Sequence, residues 1–280
     1  MTESAIARER AKERGFERRS GFSDWTQEVA ALAKRWFIEL GREKLNLIFS
    51  VAQPAIWLVF FGTGIGRAVD KNVIGTSDYT GFTLPGIVAF TVVSGGVAAA
   101  MPLMWDKESG YLDKLMSMPI SRSSIIVSRF VYQFVLASAQ VGALVVVALI
   151  GGVSFEAGPA AVLVIIATAG LLSLAVTASF SALAYWVPGH GTFFAITGFI
   201  TMPLLFISNA FVPVEALPRW MEITARLNPL TYAIEAMRIP ITEGWDSDIL
   251  VSLAVLVAVG LACLAVGAQQ FNRQTGERVK

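Results

Sequence analysis

Few residues of this chain could carry chemistry unaided. The only histidine, His190, and the only cysteine, Cys263, lie far apart in sequence. Zinc usually takes three or four protein ligands, so a lone His190 in the turn-forming run "PGHG" reads as an interfacial residue, not a catalyst. Cys263 has no second cysteine to pair with and reads as a small hydrophobe within an apolar run. No G-x-x-x-x-G-K-[ST] or H-E-x-x-H motif occurs. The run "GTGIG" at 62–66 lacks the following lysine, and its Gly62 and Gly66 form a G-x-x-x-G that signals close helix packing. Charge is concentrated instead in "MWDKESGYLDKLMSMPISRSS", residues 104–124, which carries Asp106, Lys107, Glu108, Asp113, Lys114 and Arg122 between two apolar runs.

Those apolar runs are the dominant feature of the sequence. Only 15% of the 280 residues are charged and 55% are apolar, against about a quarter charged in an ordinary soluble domain. Residues 45–66, 79–105, 130–155, 157–214 and 249–271 contain no Asp, Glu, Lys or Arg. About 18 such residues are enough for a helix to cross a hydrocarbon core. The fourth run is too long for one crossing, and Pro188, Gly189, His190 and Gly191 would divide it. The reading is an all-α integral membrane protein with six transmembrane helices, near 46–66, 82–104, 126–150, 159–187, 191–211 and 249–270. A net charge of +1 without a basic stripe gives no reason to expect nucleic acid as a partner.

Lys and Arg set the direction. With the N-terminus inside, seventeen of the 22 basic residues fall on the cytoplasmic side. Both termini are therefore expected in the cytoplasm, with the charged segment 104–124 beside them, in a multi-pass protein of the cell membrane. No cleavable signal peptide is visible, so the first span must itself direct insertion. The span centres lack the carboxylates or histidines that ion-coupled carriers hold at the midplane, and offer only neutral groups such as Gln53, Gln133, Gln140, Ser173, Thr177 and Asn209. Energy for any transport must then come from another polypeptide.

Two flanking elements complete the pattern. Residues 1–22 are a mixed-charge stretch expected to be a mobile tail, and 273–280 a short cytoplasmic tail. Over 23–44, Trp25, Val29, Leu32, Trp36 and Leu40 recur at helical spacing after a capping Ser23 or Asp24. Such a helix could lie in the headgroup layer of membrane lipids or cover a soluble partner. Between spans five and six, Pro213, Pro218 and Pro229 and several charges forbid another crossing. Two short helices, one with Trp220, Ile223 and Leu227 on a face, would either dip back as an outer cap or lie on the surface and anchor span six.

In the charged segment, Glu108, Gly110, Leu112, Leu115, Pro119 and Ser121 resemble the E-x-G-x-L-x-x-L-x-x-x-P-x-S signature of ABC-2-type transporter permeases. The later run with Phe211, Pro213, Leu217, Pro218, Trp220, Asn228, Pro229, Leu230, Thr231, Tyr232 and Arg238 resembles that family's daunorubicin-resistance-like branch. The resemblance spans about residues 25–272, and 45–272 would form the six-span domain. It implies the permease subunit of an ATP-driven exporter of an amphipathic substrate (a drug, lipid or glycoconjugate), not an enzyme by itself. ATP and Mg would be held by cytoplasmic ABC ATPase subunits, and the membrane partner would be a second copy or a homologue. It further implies a cytoplasmic coupling helix involving Asp106, Lys107, Glu108, Gly110, Tyr111, Leu112, Asp113, Leu115 and Pro119. Phe206, Asn209, Phe211, Pro213, Pro218, Trp220, Asn228, Pro229 and Tyr232 would line the pathway or its outer cap. The other classes open to such a chain are a membrane-embedded lipid-modifying enzyme and a non-transporting scaffold for a soluble partner.

Overall fold

The computed structural model describes residues 22–66, 78–111, 114 and 121–277, and among these the regular structure is entirely helical. The elements are α1 (Phe22–Arg42), α2 (Lys44–Phe60, extended by a π turn at Phe61–Ile65), α3 (Tyr79–Glu108), α4 (Arg122–Ile150), α5 (Ala160–Trp186), α6 (His190–Phe206), α7 (Arg219–Leu227), α8 (Pro229–Thr242) and α9 (Asp248–Glu277). Five are long and apolar enough to cross a membrane: α2 with its π turn, α3, most of α4, α5, and the first part of α9. These begin and end within a few residues of the apolar runs, because apolar length fixes where a helix can sit in hydrocarbon.

The run expected to cross over 191–211 differs. Its helix, α6, has only 17 residues, or about 25 Å of rise. Pro203 lies inside its last turn, and the chain leaves the helix at Ile207 instead of continuing to 211. The following turn is pressed against α3: a Cβ on Gly86 would stand 2.7 Å from the Ala210 carbonyl oxygen. Only glycine permits that approach, so this turn is packed into the bundle.

Helices α3 and α5 form the centre, with roughly half of their most apolar windows buried (56% and 50%), whereas α2 and α9 bury 11% and 22% and stand at the periphery. Leu84, Val88 and Val92 on α3, Leu144 on α4, Ile165 on α5, Ile234 and Met237 on α8, and Leu256 on α9 belong to one buried cluster. The G-x-x-x-G reading holds locally. At Gly62 and Gly66 an added Cβ would run into Thr80 and Tyr79, so the π turn closes directly onto the start of α3.

The amphipathic helix α1 begins at Phe22, placing Ser23 and Asp24 in its first turn. Val29, Ala33 and Trp36, at i, i+4 and i+7, are buried, and α1 packs on α4. Rings meet across that contact, with Phe37 and Trp36 at 5.2 and 6.3 Å from Tyr132. Trp36 is thus buried against the chain's own α4. Residues 1–21, which contain most of the expected charged tail, and 278–280 lie outside the described residues.

Candidate functional site at the two ends of the bundle

At the end that carries α1, three consecutive charged side chains of α3 hold three different neighbours. Successive helical residues point about 100° apart, so Asp106, Lys107 and Glu108 fan outward. Asp106 is buried and accepts from Arg129 Nη2 of α4 at 3.0 Å, while Arg35 Nη2 of α1 lies 3.5 Å from its other oxygen. The Trp36 ring receives both guanidinium groups, each at 4.9 Å, and Arg35 also stands 4.4 Å from the Tyr111 ring. Lys107 Nζ donates to the Tyr185 and Val187 carbonyls at 2.8 and 3.3 Å, closing the C-terminus of α5 where unpaired carbonyls and the helix dipole favour a cation. Glu108 lies 3.0 Å from His190 Nδ1 at the start of α6, with Trp105 6.1 Å from the imidazole. Of the charges expected to face a partner, Asp106 is buried and Lys107 half-buried, turned inward to tie α1, α4 and α5 to α3, whereas Glu108 is exposed and meets His190 of α6 at the surface.

The remaining residues of this segment divide in two. Gly110 follows the last turn of α3 with φ +71 and nothing within 4 Å of where a Cβ would stand. Its need for glycine is therefore the left-handed backbone that ends the helix, not the steric approach of a neighbour. Tyr111 is half-buried on Arg35. Leu112, Asp113, Leu115 and Pro119 lie outside the described residues. On the far side, Ser121 caps α4 by accepting from the Ser124 N–H. Glu28 of α1 accepts from Ser121 N at 3.0 Å and Ser124 Oγ at 2.8 Å. Partial burial acts to raise the Glu28 carboxyl, but the Ser121 backbone N–H and the Ser124 and Ser121 side chains outweigh it and hold the group below its ordinary value.

At the opposite end, Asn228 joins two helices. Its Nδ2 donates to the Leu204 and Ile207 carbonyls at 2.6 and 3.0 Å, closing α6, while its Oδ1 accepts from Leu230 N at 2.9 Å, opening α8. Pro229 occupies the first turn of α8, where the missing N–H costs nothing. Arg238 of α8 is buried and donates from Nε to Phe82 O at 3.2 Å and from Nη2 to Asn209 O at 2.5 Å. Its guanidinium also covers the Phe82 ring at 3.8 Å. Among the described residues no carboxylate lies within 4.0 Å of it, so carbonyls and a ring face meet the cation.

The other outer candidates frame this latch. Asn209 is buried with its side-chain oxygen unpaired among the described residues. Phe211 is half-buried, 4.7 Å from the Phe61 ring and 5.8 Å from that of Phe206, and Phe206 itself is exposed. Pro213 precedes a 3₁₀ turn and Pro218 precedes α7. Trp220, Ile223 and Leu227 form an exposed apolar stripe on α7. On the same helix Glu222 bridges Arg219 and Arg226, and those hydrogen bonds, Arg219 first, hold its carboxyl below its ordinary value. The Tyr232 hydroxyl donates to the Arg226 carbonyl at 2.8 Å, fixing α7 on α8.

What sequence reading missed was the partner of each charge, above all Arg238 as a buried donor and His190 as the mate of Glu108. The signal for Arg238 was its place on a short helix whose neighbours Ile234, Met237 and Ile241 are all apolar. Comparison with known proteins now bears on these two ends, since the match includes both. Residues 27–241 match the ABC-2 type transporter family. The chain belongs to that family. It is 36% identical over 218 residues to a putative transport permease ycf38 of Porphyra purpurea, covering 76% of this chain and 73% of that one. It is 27% identical over 226 residues to the daunorubicin resistance ABC transporter permease protein DrrB1 of Streptomyces coeruleorubidus, covering 79% and 76%. Nodulation protein J of Rhizobium leguminosarum bv. trifolii is 25% identical over 201 residues, covering 71% and 74%. ABC-2 permeases are transporter subunits, not themselves enzymes, and they work with ATPase subunits.

Proposed function

We propose that this chain is the membrane subunit of an ATP-driven exporter that moves an amphipathic substrate out of the cytoplasm or the inner leaflet. In this reading it sits in the cell membrane with both termini and α1 in the cytoplasm. Helix α6 counts as the short sixth crossing, and α7 and α8 turn back from the outer face as a cap. It pairs with a second copy or a homologue, and two cytoplasmic ATPase subunits hold ATP and Mg. The domain division stays as read from the sequence, with the six-span unit over 45–272 and the α1 segment over 23–44 docked to it.

The observation that carries the reading is the fan of Asp106, Lys107 and Glu108, one residue short of Gly110. A displacement delivered to the segment beyond Gly110 would be passed to α3 and, through these three contacts, to α4, α1, α5 and α6 together. A loop tied to one helix would dissipate the same movement. At the far end, Asn228 and Arg238 lock the α6 terminus, the 207–211 turn and α8 into one piece. Motion arriving along α3 and α6 therefore reaches the outer cap without slack.

The test is capture of the tagged chain from its native membranes, followed by reconstitution in proteoliposomes. The captured complex should hydrolyse Mg-ATP and drive ATP-dependent transfer of an amphiphile, while the chain stripped of its partner should hydrolyse none above background. A captured chain with no ATP-hydrolysing partner would overturn the proposal.

A further inference from the structure

A slot of about 440 Å³ opens between α1, α2, α3 and α4 at the α1 end of the bundle. It extends along α4 from Arg129 to Gln140, eleven residues or about 16 Å of helix, so its floor lies well within the apolar zone. The walls there are not uniformly apolar. Gln133 and Gln140, a heptad apart on α4, line it, and each is more than nine-tenths buried. Gln133 Nε2 and Gln140 Oε1 have no hydrogen-bond partner among the described residues, and neither has Arg129 Nη1 at the slot's upper rim. Gly95 of α3 faces them, and a Cβ there would stand 2.9 Å from Gln133 Nε2.

Two buried amides without partners in a membrane-spanning helix are costly, and nothing in helix packing requires them. Were the slot filled by acyl chain alone, leucine would serve better at both positions. Both atoms are closed off against Gly95 where the glutamines now stand, so a group in the slot meets them once the amides rotate toward it, and one that can both accept from Gln133 and donate to Gln140 removes the cost. Charge narrows it further. The exposed carboxylates of Glu39 and Glu43 line the slot at its α1 end, so an anionic head meets like charge there. Trp36, Tyr132 and Trp105 supply ring faces along the way.

We infer that this slot is a binding site within a single protomer for an amphiphile with an uncharged polar group bearing both donors and acceptors, such as hydroxyls. The inference deepens the exporter reading by naming the chemical class of a bound molecule, and it rests on that reading only for its connection to transport.

The probe is a monoacylglycerol carrying a photoactivatable diazirine in its chain, added to the purified full-length chain in phosphatidylcholine nanodiscs without ATP. Mass spectrometry should place adducts on Leu136 and Met101. Unlabelled monoacylglycerol should compete, whereas the methyl ester and the free acid of the same chain should compete poorly. Gln133→Leu with Gln140→Leu should weaken competition by about fivefold or more, as expected for lost hydrogen bonds. Leu136→Trp, which fills the slot and keeps both amides, should abolish the adducts at Met101. Equal competition by the methyl ester, or unchanged competition in the double glutamine variant, would overturn the site and leave a crevice holding lipid tails or water. Because the experiment uses neither ATP nor an ATPase subunit, its failure leaves ATP-driven export standing, and the failure of export leaves the binding result intact.

Discussion

Replacing Asp106 by alanine should release α1 from the bundle. The carboxylate is the only one within 4.0 Å of Arg129 and Arg35 among the described residues, and Arg129 is the more buried of the two, with 13% of its side chain exposed against 37%. Removing one member of a buried pair costs about 3–5 kcal/mol, because a charge remains without compensation. Arg129 keeps the Trp36 ring at 4.9 Å and lies near one end of the helix bundle, so the lower figure applies, about 3 kcal/mol. At 1.36 kcal/mol per tenfold, local opening at the α1–α4 contact should rise by about a hundredfold. A thiol placed at Ala33, which is 5% exposed in that contact, reports the opening in a Cys263→Ala background. Its labelling by maleimide in nanodiscs should accelerate accordingly, while a thiol at the exposed Ile38 should label at one rate in every variant. Asp106→Leu combined with Arg129→Met should recover most of the protection, since a buried pair can be exchanged for apolar groups at little cost. Unchanged labelling at position 33 in Asp106→Ala would refute the clamp.

Three further outcomes follow from the same geometry. Lys107→Met leaves the Tyr185 and Val187 carbonyls without their donor, which should lower stability by about 1.5–3 kcal/mol, with Lys107→Arg retaining part of it; detergent-solubilised thermal unfolding checks this. Asn228→Ala opens the ends of α6 and α8 together and should cost about 1–2 kcal/mol and reduce export, with no loss of ATPase association in pull-down. Glu28 has a lowered carboxyl pKa when docked, so its contribution is present above the ordinary carboxylate pKa and is lost as pH falls through the lowered one. In acid titrations followed by protection at position 33, wild type should therefore lose α1 docking on acidification, whereas Glu28→Gln should show a smaller dependence on pH.

The long crossings were legible because hydrocarbon thickness imposes a length and a composition that uncharged runs report directly. The helix period also placed Val29 and Trp36 of α1 on a buried face, but not what they would be buried against. A face of Trp, Val and Leu suits lipid and protein alike, and only the fold supplies Tyr132. The same limit applied to α6. Residues 207–211 are as compatible with hydrocarbon as the helix before them, and its early end depends on Asn228, twenty-one residues past Ile207, reaching back to the carbonyls. For the charged segment, sequence identified the residues but not their targets, since partners such as Arg129 and His190 are set by tertiary placement. Gln133 and Gln140 were visible as polar residues in an apolar run, and their heptad spacing was the one available sign that they share a face.

The claim that movement enters at the segment following Gly110 is most directly tested by site-specific photo-crosslinking. A benzoylphenylalanine placed at Lys114, which is exposed, and another at Trp220 on α7 sample opposite ends of the bundle. In native membranes, position 114 should give an adduct with an ATP-binding subunit whose yield changes on adding ATP, and position 220 should give none. An adduct of that subunit with position 220, or none with position 114, would contradict the account.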